Sequence, residues 1–162
     1  MRILVTAASK YGATAGIAEA IGRTLEDESH EVDVLPVEEV SDLERYDSVV
    51  LGSGVYAGHW LRSARRFADE HADELSEKQT WLFSSGPIGD PPKPEGEAAV
   101  KLGEIPERTH ANGHRVFAGK IDKSRMTFGD KAIVTAVRSP EGDFRDWEAV
   151  QEWAGQIAKA LK

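Results

Sequence analysis

Strand-like and helix-like segments alternate along this chain from end to end, and that rhythm restricts the folds open to it more than any other feature. Ile3 to Thr6 reads as a buried strand. Ile17, Ile21 and Leu25 follow at helical spacing, with Glu19, Arg23 and Glu26 turned outward. Glu31 to Val37 alternates polar with apolar residues, as a strand near a sheet edge does. Asp47 to Gly52 is a third strand, and Leu61, Ala64, Phe67, His71 and Leu75 make the next helical face. Thr80 to Phe83 and, behind the Asn112-Gly113 turn, His114 to Gly119 supply the fourth and fifth strands. A weaker helix is expected from Glu95 to about Glu104, ended by Pro106. The closing helix carries Trp147, Val150, Ala154, Ile157 and Leu161 on one stripe, capped near Asp143 to Asp146. Such alternation predicts an α/β fold, a parallel sheet with helices on both faces.

All 162 residues suit one domain, with no repeat or interdomain linker between its elements. About 25 residues separate the fifth strand from the last helix, where about 2–6 usually suffice. Phe128, Ala132, Ile133, Ala136 and Val137 recur there at roughly helical spacing, which predicts an extra helix, although Ala132 to Thr135 is also β-prone.

Composition removes several functions. A net charge of -8 argues against nucleic acid and against anionic lipid, both of which call for a basic face. There is no cysteine, so thiolate catalysis, disulfides and cysteine-held clusters are excluded. The five histidines lack ligand spacing, and no metal site is expected. No apolar run nears the roughly 18 residues that span a bilayer, and no signal peptide opens the chain. A soluble, cytoplasmic protein is expected.

The first strand runs into a loop of small and hydroxylated residues, Ala7 to Thr14, that opens a helix. Backbone amides, hydroxyls and the positive end of the helix dipole converge there, which suits a phosphate. The lysine-bearing P-loop pattern is absent, and the single Gly12 does not make a dinucleotide fingerprint. What remains is S-x-x-G-x-T, in which Ser9, Lys10, Tyr11, Gly12, Ala13 and Thr14 offer mainly neutral donors. In a doubly wound sheet the loops after the third and fourth strands meet this one. They are Gly52 to Trp60 and Ser84 to Gly89, both glycine-rich, and the former adds aromatic groups.

On these loops the chain resembles the flavodoxin-like FMN-binding family. Tyr56-Ala57-Gly58-His59, Arg115 to Asp122 and Gly142 to Trp147 are similar to its branch of flavodoxin-type, menaquinone-dependent protoporphyrinogen oxidases. The resemblance implies a three-layer sandwich around five parallel strands in order 2-1-3-4-5, with non-covalent FMN. It implies that Ser9, Lys10, Tyr11, Gly12, Ala13 and Thr14 hold the phosphate. Val55, Tyr56, Ala57 and Gly58, together with Ser85, Gly86, Pro87, Ile88 and Gly89, would flank the ring, with amides that could steady its reduced form. The third loop lacks the aromatic that electron carriers commonly place there, which leaves one ring face more open.

The implied function is an FMN-dependent oxidoreductase that passes substrate electrons to a quinone or other acceptor, without a catalytic side chain of its own. The alternatives are a flavodoxin electron carrier between protein partners and a binding module that has lost FMN. Partners would be a small redox substrate or a redox protein, and pairing into a homodimer is open. Tyr56 is the expected stacking group. Trp60 either borders the flavin or anchors the following helix, and His59 reads as a solvated or capping residue. Trp81, Trp147 and Trp153 read as packing groups. Lys10 either balances the phosphate or faces solvent, and Arg62, Arg65 and Arg66 form a solvated face or meet a carboxylate-bearing substrate.

Overall fold

Ile3, Leu4 and Val5 are all shut off from solvent, because their strand has protein on both faces. That strand is β1 (Arg2–Ala8). A computed structural model describes residues 1–56, 58–86, 101–121, 142–143 and 145–161. β2 (Glu31–Pro36) lies parallel to β1 on one side and β3 (Ser48–Tyr56) on the other. A short strand, β4 (His59–Trp60), folds back antiparallel on the end of β3. β5 (Gln79–Ser85) continues the parallel sheet from β3, and β6 (His114–Phe117) forms its far edge. Leaving out the β4 arm, the parallel strands follow one another in the expected 2-1-3-4-5 order.

Alternate residues of each strand point to opposite faces, and two cores result. Ile3, Val5, Val50, Phe83 and Phe117 meet α1 (Ala13–Asp27) on one face. Leu4, Leu51 and Leu82 face α2 (Arg62–Glu70), α3 (Ala72–Ser76) and α4 (Ile105–Arg108) on the other. α5 (Trp147–Ala160) joins α1 on the first face. Its Trp153 meets Phe83 and Phe117 edge-on, with ring centroids 6.2 and 5.6 Å away, a favourable geometry for aromatic quadrupoles.

The structure corrects several expectations. The third and fourth strands run further than the apolar runs indicated, so Ser53 to Tyr56 and Ser84 to Ser85 are strand, not loop. The second ends at Pro36, and Val37 opens a 3₁₀ turn. The helix expected through Leu61 to Leu75 breaks at His71 into α2 and α3. Residues 101–104 are not helical, since Gly103 adopts a left-handed φ of 59°. Pro106 therefore lies in the first turn of α4, where its missing N–H costs nothing, and does not end a helix. Trp147 is 38% exposed rather than packed. The extra helix expected over Phe128 to Val137 lies outside the described residues. On either side of it, β7 (Lys120–Ile121) and β8 (Gly142–Asp143) pair antiparallel.

Candidate functional site

The turns after β1 and β3 and the end of β5 meet at the carboxyl edge of the sheet. The first is Ser9 to Gly12, where Gly12 takes a φ of 90° that side-chain-bearing residues rarely adopt. Ser9 Oγ accepts the Gly12 N–H at 3.1 Å. A hydroxyl that accepts in this way keeps its own proton to donate outward. α1 then starts with no side-chain cap and no acidic residue in its first turn. Its first amides and the positive end of its dipole thus face the loop without a negative partner from their own turn.

Thr14, in that first turn, is buried. A Cβ on Gly54 would come within 3.1 Å of Thr14 Oγ1, so the end of β3 passes close against the helix start and glycine there avoids a tight contact. A Cβ on Gly86 would stand 3.6 Å from Val55 Cβ, which places the end of β5 beside the end of β3. Across the gap, the Tyr11 and Tyr56 rings meet edge-on at 6.3 Å. Lys10 Nζ lies 5.7 and 5.9 Å from the two ring centres, inside cation–π range. Ser9 through Thr14, Val55, Tyr56 and Gly86 are therefore brought together.

The second turn is held rigidly. Tyr56 pairs with His59 and Val55 with Trp60 across the β3–β4 hairpin. Trp60 is buried, and its indole Nε1 donates to Ser84 Oγ at 2.8 Å. Ser84 Oγ lies 2.7 Å from His114 Nε2, which completes a polar chain across three strands. Ser53 Oγ accepts the Leu61 N–H at 3.0 Å and donates to the Gly54 carbonyl at 2.8 Å. Of the two roles open to Trp60, the structure assigns the anchor. His59 is exposed.

Gly58 has a φ of 81°, and its carbonyl accepts the Lys101 N–H at 2.7 Å. Ser85 is buried, and the Gly86 N–H donates to the Phe117 carbonyl at 2.7 Å. That amide is committed to the sheet, so it is not among those that could steady a reduced ring. Ala57, Pro87, Ile88 and Gly89 lie outside the described residues.

A residue that spacing did not single out also reaches the site. Arg145 Nη1 comes to 3.5 Å from the Ala13 carbonyl, and a Cβ on Gly16 would meet it at 2.8 Å. The guanidinium lies 4.7 Å over the Trp147 ring, and Nε and Nη2 donate to Asp143 at 2.9 and 2.7 Å. The Asp143 carboxylate raises the Arg145 pKa further above its ordinary value, against the opposing effect of burial. No local pattern could reveal this contact, because 132 residues separate Arg145 from Ala13.

The donor set fits the phosphate end of FMN: uncapped amides, hydroxyls at Ser9 and Thr14, a glycine cradle, and no carboxylate between Met1 and Glu19.

A flavodoxin-domain family model matches residues 4–148. Protoporphyrinogen IX dehydrogenase [quinone] of Escherichia coli K12 is 22% identical over 172 aligned positions, covering 98% of this chain and 95% of that one. The structure of oxidised flavodoxin 1 from Bacillus cereus superposes with a TM-score of 0.67 at 18% identity, covering 100% of both chains. Rubredoxin oxygen:oxidoreductase from Desulfovibrio gigas also matches, with a TM-score of 0.67 and 16% identity. The chain covers 36% of the length of that larger protein. No helix among the described residues is long and apolar enough to cross a membrane.

Proposed function

The chain belongs to the flavodoxin family, and from that premise we propose that it is an FMN-dependent oxidoreductase, which takes electrons from a porphyrinogen-type substrate and delivers them to a quinone or similar acceptor. FMN is the cofactor that goes with this family and fold, and when bound it supplies the redox chemistry. The chain binds and orients it. Ser9 and Thr14 donate their hydroxyls to the phosphate beside the first amides of α1, and Lys10 adds positive charge at the same loop. Tyr56 covers one side of the ring, while Val55, Gly58, Ser85 and Gly86 wall its edge. Ala57, Pro87, Ile88 and Gly89 complete that wall in this reading. Residues 1–162 act as one domain, in the cytoplasm, on a small redox substrate.

The observation that carries the reading is the end-to-end likeness to the E. coli dehydrogenase, 98% of this chain against 95% of that one. A second reading, an electron carrier, draws on the equally complete match to the B. cereus flavodoxin. Anaerobic mixing of FMN-loaded protein with protoporphyrinogen and a menaquinone analogue separates them. The proposal expects porphyrin absorbance to grow faster than in controls without protein or without FMN. No porphyrin growth, with rapid single-electron exchange to a redox protein, would establish the carrier instead.

A further inference from the structure

The geometry points to a carboxylate-recognition edge, made by His59, Arg62, Arg65 and Lys101, that receives the acidic groups of a small anionic redox substrate. It rests on the reading that a redox cofactor occupies the adjoining loops. Residues 48–68 contain three arginines and His59 but no acidic residue, in a chain whose net charge is -8. Arg62 and Arg65 fall at the start of α2, which has no acidic residue in its first turn. A cation at the positive end of a helix dipole is unfavourable, and so are like charges three residues apart.

No ion pair among the described residues offsets that cost. Arg66 pairs with Glu70 at 3.6 Å, whereas no carboxylate among the described residues pairs with Arg62, Arg65 or Lys101. All three are exposed. Residues spent against stability in this way are characteristic of function.

Their placement supplies the second argument. His59 is directly opposite Tyr56 in the hairpin, so both side chains leave the same face. Lys101 bridges to His59, and its N–H binds the Gly58 carbonyl at 2.7 Å. The cations thus border the turn that carries the expected ring-flanking tyrosine. On the far side of α1, Arg145 is already neutralised by Asp143. Among the described residues the excess charge is narrow and one-sided, which fits carboxylate arms of a small molecule better than a protein face of about 800 Å². A guanidinium fork matches a carboxylate in geometry as well as charge.

Two measurements on FMN-loaded protein test this. In the first, chemically reduced protein is re-oxidised by ferricyanide or by hexaammineruthenium(III) across a range of salt. The ferricyanide rate is expected to fall with salt despite the protein's negative net charge. Arg62→Ala with Arg65→Ala should lower the low-salt ferricyanide rate about tenfold and flatten its salt dependence, without slowing the ruthenium reaction. Arg23→Ala with Lys159→Ala, an equal charge change on exposed helix positions elsewhere, should leave the native salt slope.

In the second, fluorescence reports binding of protoporphyrin IX and of its dimethyl ester. The diacid should bind about tenfold more tightly, and the double variant should abolish that difference while its thermal midpoint rises. Unchanged ferricyanide salt dependence in the Arg62/Arg65 variant overturns the edge, as does equal binding of diacid and ester. Binding of neither porphyrin, with the ferricyanide result as expected, upholds the edge and excludes porphyrins as the substrate. Failure of the native protein to take up FMN overturns the functional reading itself.

Discussion

Two neighbouring helices of this protein begin in opposite ways. α5 opens on Asp146, whose Oδ1 accepts the Ala149 N–H at 3.1 Å, and Glu148 adds negative charge in the first turn. α1 opens on Gly12, with no side-chain cap and no acidic residue in that turn. Both pack on the same face of the same sheet, so packing does not explain the difference. Every helix start exposes amide donors and a positive dipole end. Where the chain fills them itself, as at α5, the start is purely structural. Where a strand leads through a glycine turn into an unfilled start, as at α1, the amides and dipole are left for a ligand's negative charge to satisfy. For α1 the ligand proposed is the phosphate of FMN.

Removing the loop's own donors should break this contrast most severely. Ser9→Ala combined with Thr14→Ala would delete the two hydroxyl bonds proposed to the phosphate, each worth about 1.5–3 kcal/mol. FMN affinity should fall on the order of 100-fold or more by fluorescence titration, with far-UV circular dichroism unchanged. Giving α1 the charge that α5 already has should act less strongly. Ala15→Glu, at an exposed first-turn position, should weaken FMN about tenfold and raise the apoprotein's thermal midpoint, since dipole–charge pairs contribute about 0.3–1 kcal/mol.

The converse change at α5 should touch stability alone. Asp146→Ala should cost about 1 kcal/mol in denaturant melts and leave FMN affinity unaltered. The smallest effect belongs to the far sheet edge, which has no part in either helix start. Tyr46 donates to Asp33 at 2.7 Å, and burial, then that bond, raises its pKa above the ordinary tyrosine value. Its protonated form is therefore favoured in the fold. That contribution is complete below about pH 10 and is lost as pH rises through the higher folded value. Tyr46→Phe should flatten the stability decline above about pH 10 while lowering stability modestly at neutral pH.

Much of this was legible from residue order alone. Ile3 to Val5 and Ile17, Ile21 and Leu25 announce a buried strand and an amphipathic helix because their periods differ, and the structure buries all of them. The loop Ser9 to Thr14 was visible because its chemistry is local. The strand ends at Ser53 to Tyr56 were hidden, since glycine and serine read as loop until cross-strand partners such as Trp60 are known. Pro106 misled because proline marks a helix start and a helix stop with the same residue. Arg145 was beyond reach for a different reason: only the folded sheet carries it to the start of α1.

The most direct test of the account compares FMN with riboflavin, which has the same ring and no phosphate, in titrations of the native apoprotein. If the start of α1 moors a phosphate, FMN should bind at least 100-fold more tightly, a difference of about 2.7 kcal/mol. That preference should also shrink to a few-fold in the Ser9→Ala, Thr14→Ala protein. Equal affinities for the two flavins would contradict the account, because the uncapped helix start would then have no part in holding the cofactor.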